Sequence, residues 1–107
     1  MSNNWKVFNN GKSIGTTGVD GGIVFFDEEH AKGARITYRR GENMISVSMK
    51  IHGWIDHTRF FTTENDAQRE YRAMKIIINE LLEKINEPEM PKLKVWEIIS
   101  DFVKRYP

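Results

Sequence analysis

MISVSMKIHGWIDHTRFFTT, residues 44–63, holds two strands and the turn between them, and its last residue marks where the strands stop. In residues 44–51 the odd positions Ile45, Val47, Met49 and Ile51 are apolar, with Ser46, Ser48 and Lys50 between them. A period of two is the signature of a strand with one face on a core and the other in solvent. His52-Gly53 reads as a two-residue turn into a second strand over residues 54–62, because glycine tolerates the positive φ such turns need. Pairing in that register sets Ile51 opposite Trp54, Val47 opposite Thr58 and Ile45 opposite Phe60, so the apolar face stays continuous. Asp56, opposite Met49, is the one misfit. The register also places His57 and Arg59 on the polar face beside Ser46 and Ser48.

The same period runs upstream. Ala34, Ile36 and Tyr38 alternate with Arg35, Thr37 and Arg39, and Arg40-Gly41-Glu42-Asn43 turns the chain into the next strand. Residues 22–27 carry Ile23, Val24, Phe25 and Phe26 and read as a strand apolar on both faces. Residues 27–33, Asp-Glu-Glu-His-Ala-Lys-Gly, read as a polar connection. Trp5 opens a short strand over residues 5–8, and Asn10-Gly11 has the composition of a type I′ hairpin turn. Gly11, Gly15, Gly18, Gly21 and Gly22 make the following segment a weakly specified edge, with a second turn at Asp20-Gly21.

At Thr63 the period changes. Thr63 can cap a helix whose first turn holds Glu64 and Asp66, acids that complement the helix dipole. Ala67, Tyr71, Met74, Ile78, Leu81 and Ile85 follow in steps of four and three, with Ile77 and Leu82 widening the stripe. The helix spans residues 64–86. Pro88 and Pro91 separate it from a second helix over residues 92–106, whose stripe is Val95, Trp96, Ile99, Phe102, Val103 and Tyr106. The expected fold is therefore α+β and a single domain over residues 1–107. An antiparallel meander of five or six strands fills residues 1–63, and two C-terminal amphipathic helices pack on one sheet face.

A chain of 107 residues with 39% hydrophobic residues can build one core. Sixteen Lys and Arg against fifteen Asp and Glu leave a net charge of +1, so any electrostatic argument must be local. There is no cysteine, which excludes disulfides, thiolate metal sites and a cysteine nucleophile. The N-terminal residues lack the apolar core of a signal peptide, and the longest apolar runs, residues 23–26 and 76–78, cannot span a bilayer. A cytoplasmic location and no membrane partner are expected.

Four features bear on function. Gly11-Lys12-Ser13 resembles the end of a phosphate-binding loop, but the position five residues before that glycine is Lys6 and no helix can start at Lys12. A structural turn is the better reading. His30, His52 and His57 lack ligand spacing, so neither a metal site nor a cofactor site is expected, and no catalytic residue is assigned. Arg35, Arg39, Ser46, Ser48, Lys50, His57 and Arg59 are expected to share the solvent face of the sheet, with Thr37. That face would be basic and rich in hydroxyls, suited to a ligand or a partner. Phe61 is the only ring expected on it, so it lacks the stacking platforms of an RNA-reading sheet. Last, Trp96, Phe102 and Tyr106 make a stripe that packs on the core or docks on a second protomer.

These features lead to a small non-catalytic cytoplasmic domain that binds another protein, of inhibitor or immunity type, through the open sheet face or the final helix. A homodimer is an option. One alternative is a ligand-binding domain or enzyme with a pocket around His57 and Arg59, flanked by Arg35 or Arg39. Another is weak binding to a nucleic-acid backbone, which the near-zero net charge disfavours.

Overall fold

The strong period-two segments pair in chain order. The computed structural model describes residues 4–18 and 21–107. β1 (Trp5–Val7), β2 (Ile23–His30), β3 (Ala34–Arg40), β4 (Ile45–Ile51) and β5 (Ile55–Phe61) form one antiparallel sheet in that spatial order. α1 (Glu64–Ile85) and α2 (Lys92–Arg105) follow. This is the expected α+β meander with two C-terminal helices, at the smaller of the two strand numbers.

β4 and β5 pair one residue away from the expected register. Ile51 lies opposite Ile55, Met49 opposite His57, Val47 opposite Arg59 and Ile45 opposite Phe61. Three residues, His52-Gly53-Trp54, make the turn. The Trp54 N–H donates to the Ile51 carbonyl at 2.9 Å, and Gly53 takes φ +84°. A slip of one residue exchanges the faces of a strand. His57 and Arg59 therefore lie on the helix side rather than the open side, while Thr58 and Phe60 face outward. Phe61 packs against the core where Phe60 was expected, and Phe60 is 58% exposed. Asp56 explains the choice. In the observed register it lies opposite Lys50 on the open face, whereas the alternative puts an unpaired carboxylate against Met49 at a cost of several kcal/mol. No apolar contact is lost, because Ile55 and Phe61 take the places expected of Trp54 and Phe60.

The N-terminal segment forms the opposite edge. β1 pairs with the end of β2, Trp5 opposite His30 and Val7 opposite Glu28, and Thr17 bridges to Ile23 at its start. Residues 8–14 leave the edge between these pairings and fold over the open face. Asn10-Gly11 is not a hairpin turn. Asn9, Asn10 and Gly11 form a left-handed turn with φ of 49°, 55° and 81°, a conformation that Asn and Gly tolerate best. Asp20 of the expected second turn lies outside the described residues. β2 itself runs through Asp27, Glu28, Glu29 and His30, which read in the sequence as a connection. These polar residues hold a strand because each finds a partner in another element.

The helices cover the other face. Thr63 caps α1 by accepting from the Asp66 N–H at 3.3 Å, as its position before Glu64 and Asp66 implied. Ala67, Tyr71, Met74, Ile78, Leu81 and Leu82 of α1 are buried against Ile36, Tyr38, Val47, Met49 and Ile51. Each large side chain in this layer contributes about 1.5–3 kcal/mol by leaving water. α2 packs beside α1 and sends Phe102 into the same core. Trp96, expected in the buried stripe, is instead 61% exposed. Val95, Ile99 and Phe102 suffice to seat the helix, and Trp96 follows Val95 by one position, so it turns away from their face.

Candidate functional site

The open face divides into a closed half and an available half. The closed half centres on Asp27, whose side chain is fully buried. Arg35 grips it with two parallel donors, Nε to Oδ1 at 2.9 Å and Nη2 to Oδ2 at 2.6 Å. The Thr37 hydroxyl donates to Oδ1 at 3.0 Å, and the Ser13 hydroxyl from the overlying loop donates to Oδ2 at 2.8 Å. The Phe8 ring then covers the Arg35 guanidinium at 3.7 Å, a cation–π contact. Burial alone pushes the Asp27 carboxyl up, but the hydrogen bonds from Arg35 and Ser13, the Arg35 charge and Thr37 outweigh it, and the group is held below its ordinary value of 3.8. Arg35 is thus paired within the fold, with part of its surface left on the neighbouring hollow.

The available half lies between β3, β4 and β5. Arg39, Ser48, Lys50, Asp56, Thr58 and Phe60 surround a hollow of about 380 Å³, which Arg35 and Thr37 border on the side of the closed half. Arg39 Nη1 donates to the Ser48 hydroxyl at 3.2 Å, and the Ser48 and Thr58 hydroxyls are 3.0 Å apart. Ser46 is buried beneath Phe60, its neighbour across the β4–β5 pair. Of the residues expected on this face, Arg39, Ser48 and Lys50 are brought together. Thr58 and Phe60 join them, which the slipped register had hidden.

His57 and Arg59 do something else. On the helix side, His57 Nε2 lies 2.7 Å from the Tyr106 carbonyl, which can only accept, so the ring proton sits on Nε2. Arg59 Nη1 donates to Glu70 at 2.8 Å and Nε to the Pro107 carbonyl at 3.3 Å. Its guanidinium lies within reach of the Phe61 and Tyr106 rings. Both residues tie the C-terminus to β5. A pocket combining them with Arg35 or Arg39 does not form, since the sheet stands between.

Beside them, β5 and α2 diverge into an apolar groove of about 470 Å³. Trp54, Ile55 and His57 wall the strand side, Trp96, Ile99 and Val103 the helix side, with Asp56 and Lys104 at the rim, so His57 does line a pocket, though without Arg35 or Arg39. Leu93 and Trp96 continue apolar surface along the outside of α2. The stripe Trp96, Phe102 and Tyr106 is therefore split. Phe102 is buried, Tyr106 is half-buried against Phe102 and Arg59, and Trp96 alone is presented.

A second polar set joins β2 to α1. Glu28 accepts from the Tyr71 hydroxyl at 2.5 Å and from Lys75 at 2.9 Å. Burial, then this hydrogen bond and the Glu28 charge, push the Tyr71 phenol up, so it stays a donor. The Lys32 N–H donates to His30 Nδ1 at 3.0 Å, which leaves Nε2 to donate to Asn79 at 2.7 Å. Nothing in the spacing of Glu28, His30, Tyr71 and Asn79 signals this network, which joins residues more than forty positions apart.

Among the described residues no group of three or more His, Asp or Glu side chains is placed to hold a metal ion, and no helix is long and apolar enough to cross a membrane. Compared with known protein families, curated proteins and solved structures, the chain matches none.

Proposed function

We propose that this chain is a non-catalytic protein-binding domain that takes an extended segment of a partner protein along β5, in the groove against α2. The observation that carries this reading is the pairing of an edge strand with an apolar groove. β5 closes the sheet with seven residues, and the groove opens along it between Ile55 and Trp96. A segment added to such an edge gains backbone hydrogen bonds for affinity, while alternate side chains enter the groove for specificity. Trp96 supplies a large, rigid aromatic wall of the kind that anchors interfaces. Asp56 and Lys104 give the groove a polar rim of both signs.

The test is selection of binding peptides from a random display library on the purified protein, followed by NMR mapping with the best sequence. Selected peptides should alternate apolar and polar residues, shift the amides of residues 54–60, and lose about tenfold or more in affinity against Trp96→Ala. Peptides that bind as helices, or that ignore the Trp96 substitution, would refute the reading. Light scattering at two concentrations tests the second-copy option. A dimer that Trp96→Ala dissolves would make another copy of the chain the occupant of the groove.

A further inference from the structure

We infer that Arg39, Lys50 and Thr58 on the open sheet face bind the carboxylate of a small molecule whose flat, apolar body lies against Phe60. The argument starts from the charge of Arg39. The chain has seven arginines. Among the described residues, Arg35, Arg40, Arg59, Arg69 and Arg105 each have a carboxylate within ion-pair distance, and Arg39 and Arg72 do not. Arg72 is exposed to water, whereas Arg39 is half-buried and its Nε is sealed off with no acceptor. A half-buried guanidinium without a counter-ion is costly, and an anion in the adjoining hollow offsets that cost.

The hydrogen-bond directions around it favour an acceptor. Arginine can only donate, so the Ser48 oxygen accepts from Arg39, and the Ser48 and Thr58 hydroxyls share one further hydrogen bond in which either can be the donor. One of the two hydroxyl protons fills that bond, and the other has no acceptor among the described residues. Arg39, Lys50 and the free proton of the Ser48–Thr58 pair thus offer donors to the hollow, and a carboxylate is a group that only accepts.

The charge and shape of the hollow narrow the ligand. Arg35 also borders the hollow but is neutralised by Asp27, and Asp56 lies opposite Lys50, so Arg39, Lys50 and Asp56 leave a single positive charge around it. That balance suits a singly charged carboxylate and opposes a phosphate dianion. Phe60 borders the hollow with more than half its surface free, and a second hollow beyond it is lined by Met44 and Gly41. A planar apolar body attached to the carboxylate has a face to lie on there.

The experiment is an NMR titration of 15N-labelled protein with benzoate, acetate, inorganic phosphate and benzyl alcohol. Benzoate should give saturable shifts at Ser46, Ser48, Thr58 and the Arg39 side-chain N–H. Acetate should bind more weakly, and benzyl alcohol, which lacks the charge, should not saturate. Arg39→Gln and Lys50→Gln should each weaken benzoate about tenfold, the scale of a charged hydrogen bond. Phe60→Ala should abolish the advantage of benzoate over acetate. Lys50 and Phe60 are exposed, so those two variants carry the test even if Arg39→Gln unfolds. Unsaturable shifts, shifts centred elsewhere, benzoate binding unchanged in Lys50→Gln, or phosphate binding more tightly than benzoate would each overturn the inference.

Discussion

Replacing Asp27 by Asn tests whether the closed half of the open face is a fastening of the fold. The carboxylate receives four hydrogen bonds, two from Arg35 and one each from Thr37 and Ser13, and it is fully buried. An asparagine keeps one acceptor but turns an NH2 group toward two donors, Arg35 Nη2 and the Ser13 hydroxyl, and leaves the Arg35 charge unmatched. Removing one member of a buried pair costs about 3–5 kcal/mol. The Arg35 side chain keeps 31% of its surface exposed and can recover some hydration, so the lower end, about 3 kcal/mol, applies. At roughly 4 °C per kcal/mol for a domain of this size, the melting temperature should fall by about 12 °C. Urea unfolding at neutral pH, followed by tryptophan fluorescence and circular dichroism, measures the difference. Its pH dependence carries a sign. The Asp27 carboxyl is held below 3.8 in the fold, so its stabilisation is complete above that value and disappears as the pH falls through the depressed one. The gap between wild type and Asp27→Asn should therefore hold from neutral pH to about pH 5 and close in stronger acid. A cost below about 1 kcal/mol, or a gap indifferent to acid, would refute the account, since a surface pair behaves that way.

Four further substitutions separate fastening residues from presented ones. Arg59→Ala should cost about 2 kcal/mol in thermal melts, because Glu70 keeps only a longer contact to Arg69 at 3.7 Å and the C-terminus loses its tie; an unchanged melting temperature would return Arg59 to the surface. Thr63→Ala should cost about 1 kcal/mol by urea unfolding, the ordinary value of a lost helix cap. Phe102→Ala should cost about 3–5 kcal/mol, whereas Trp96→Ala should change stability by less than about 0.5 kcal/mol while weakening selected peptides. Equal costs for the two would mean that Trp96 is a core residue and not a presented one.

The architecture was legible because its elements are periodic. Ile45, Val47, Met49 and Ile51 announce a half-buried strand, and the steps of four and three from Ala67 to Leu81 announce α1. The candidate site was legible only where it rests on β3 and β4, whose faces the alternation assigns without ambiguity. On β5 it was not, because His52-Gly53 fits a two-residue and a three-residue turn, and the choice exchanges His57 and Arg59 for Thr58 and Phe60. The signal that separates the two was present in Asp56, whose misfit against Met49 disappears in the observed register. The commitment of Arg35 to Asp27 had no such signal. It depends on the loop bearing Phe8 and Ser13 folding over the sheet, and the turn at Asn9-Asn10-Gly11 resembles a hairpin in composition.

The order of the strands along the chain has a kinetic side. β2 to β5 and α1 are sequential neighbours, so their pairings close short loops, a topology that folds quickly. The N-terminal edge is different. Trp5 Nε1 donates to the Lys75 carbonyl across 70 residues, and Asn4 reaches Asn79 across 75. Those bonds form only with α1 docked on the meander, so β1 should be the last strand to join. The same contacts should be the first of the sheet to open in the native protein, with faster amide exchange in β1 than in β3 or β4 even though Trp5 is buried. The protein thus closes like a latch, with β1 as the bolt.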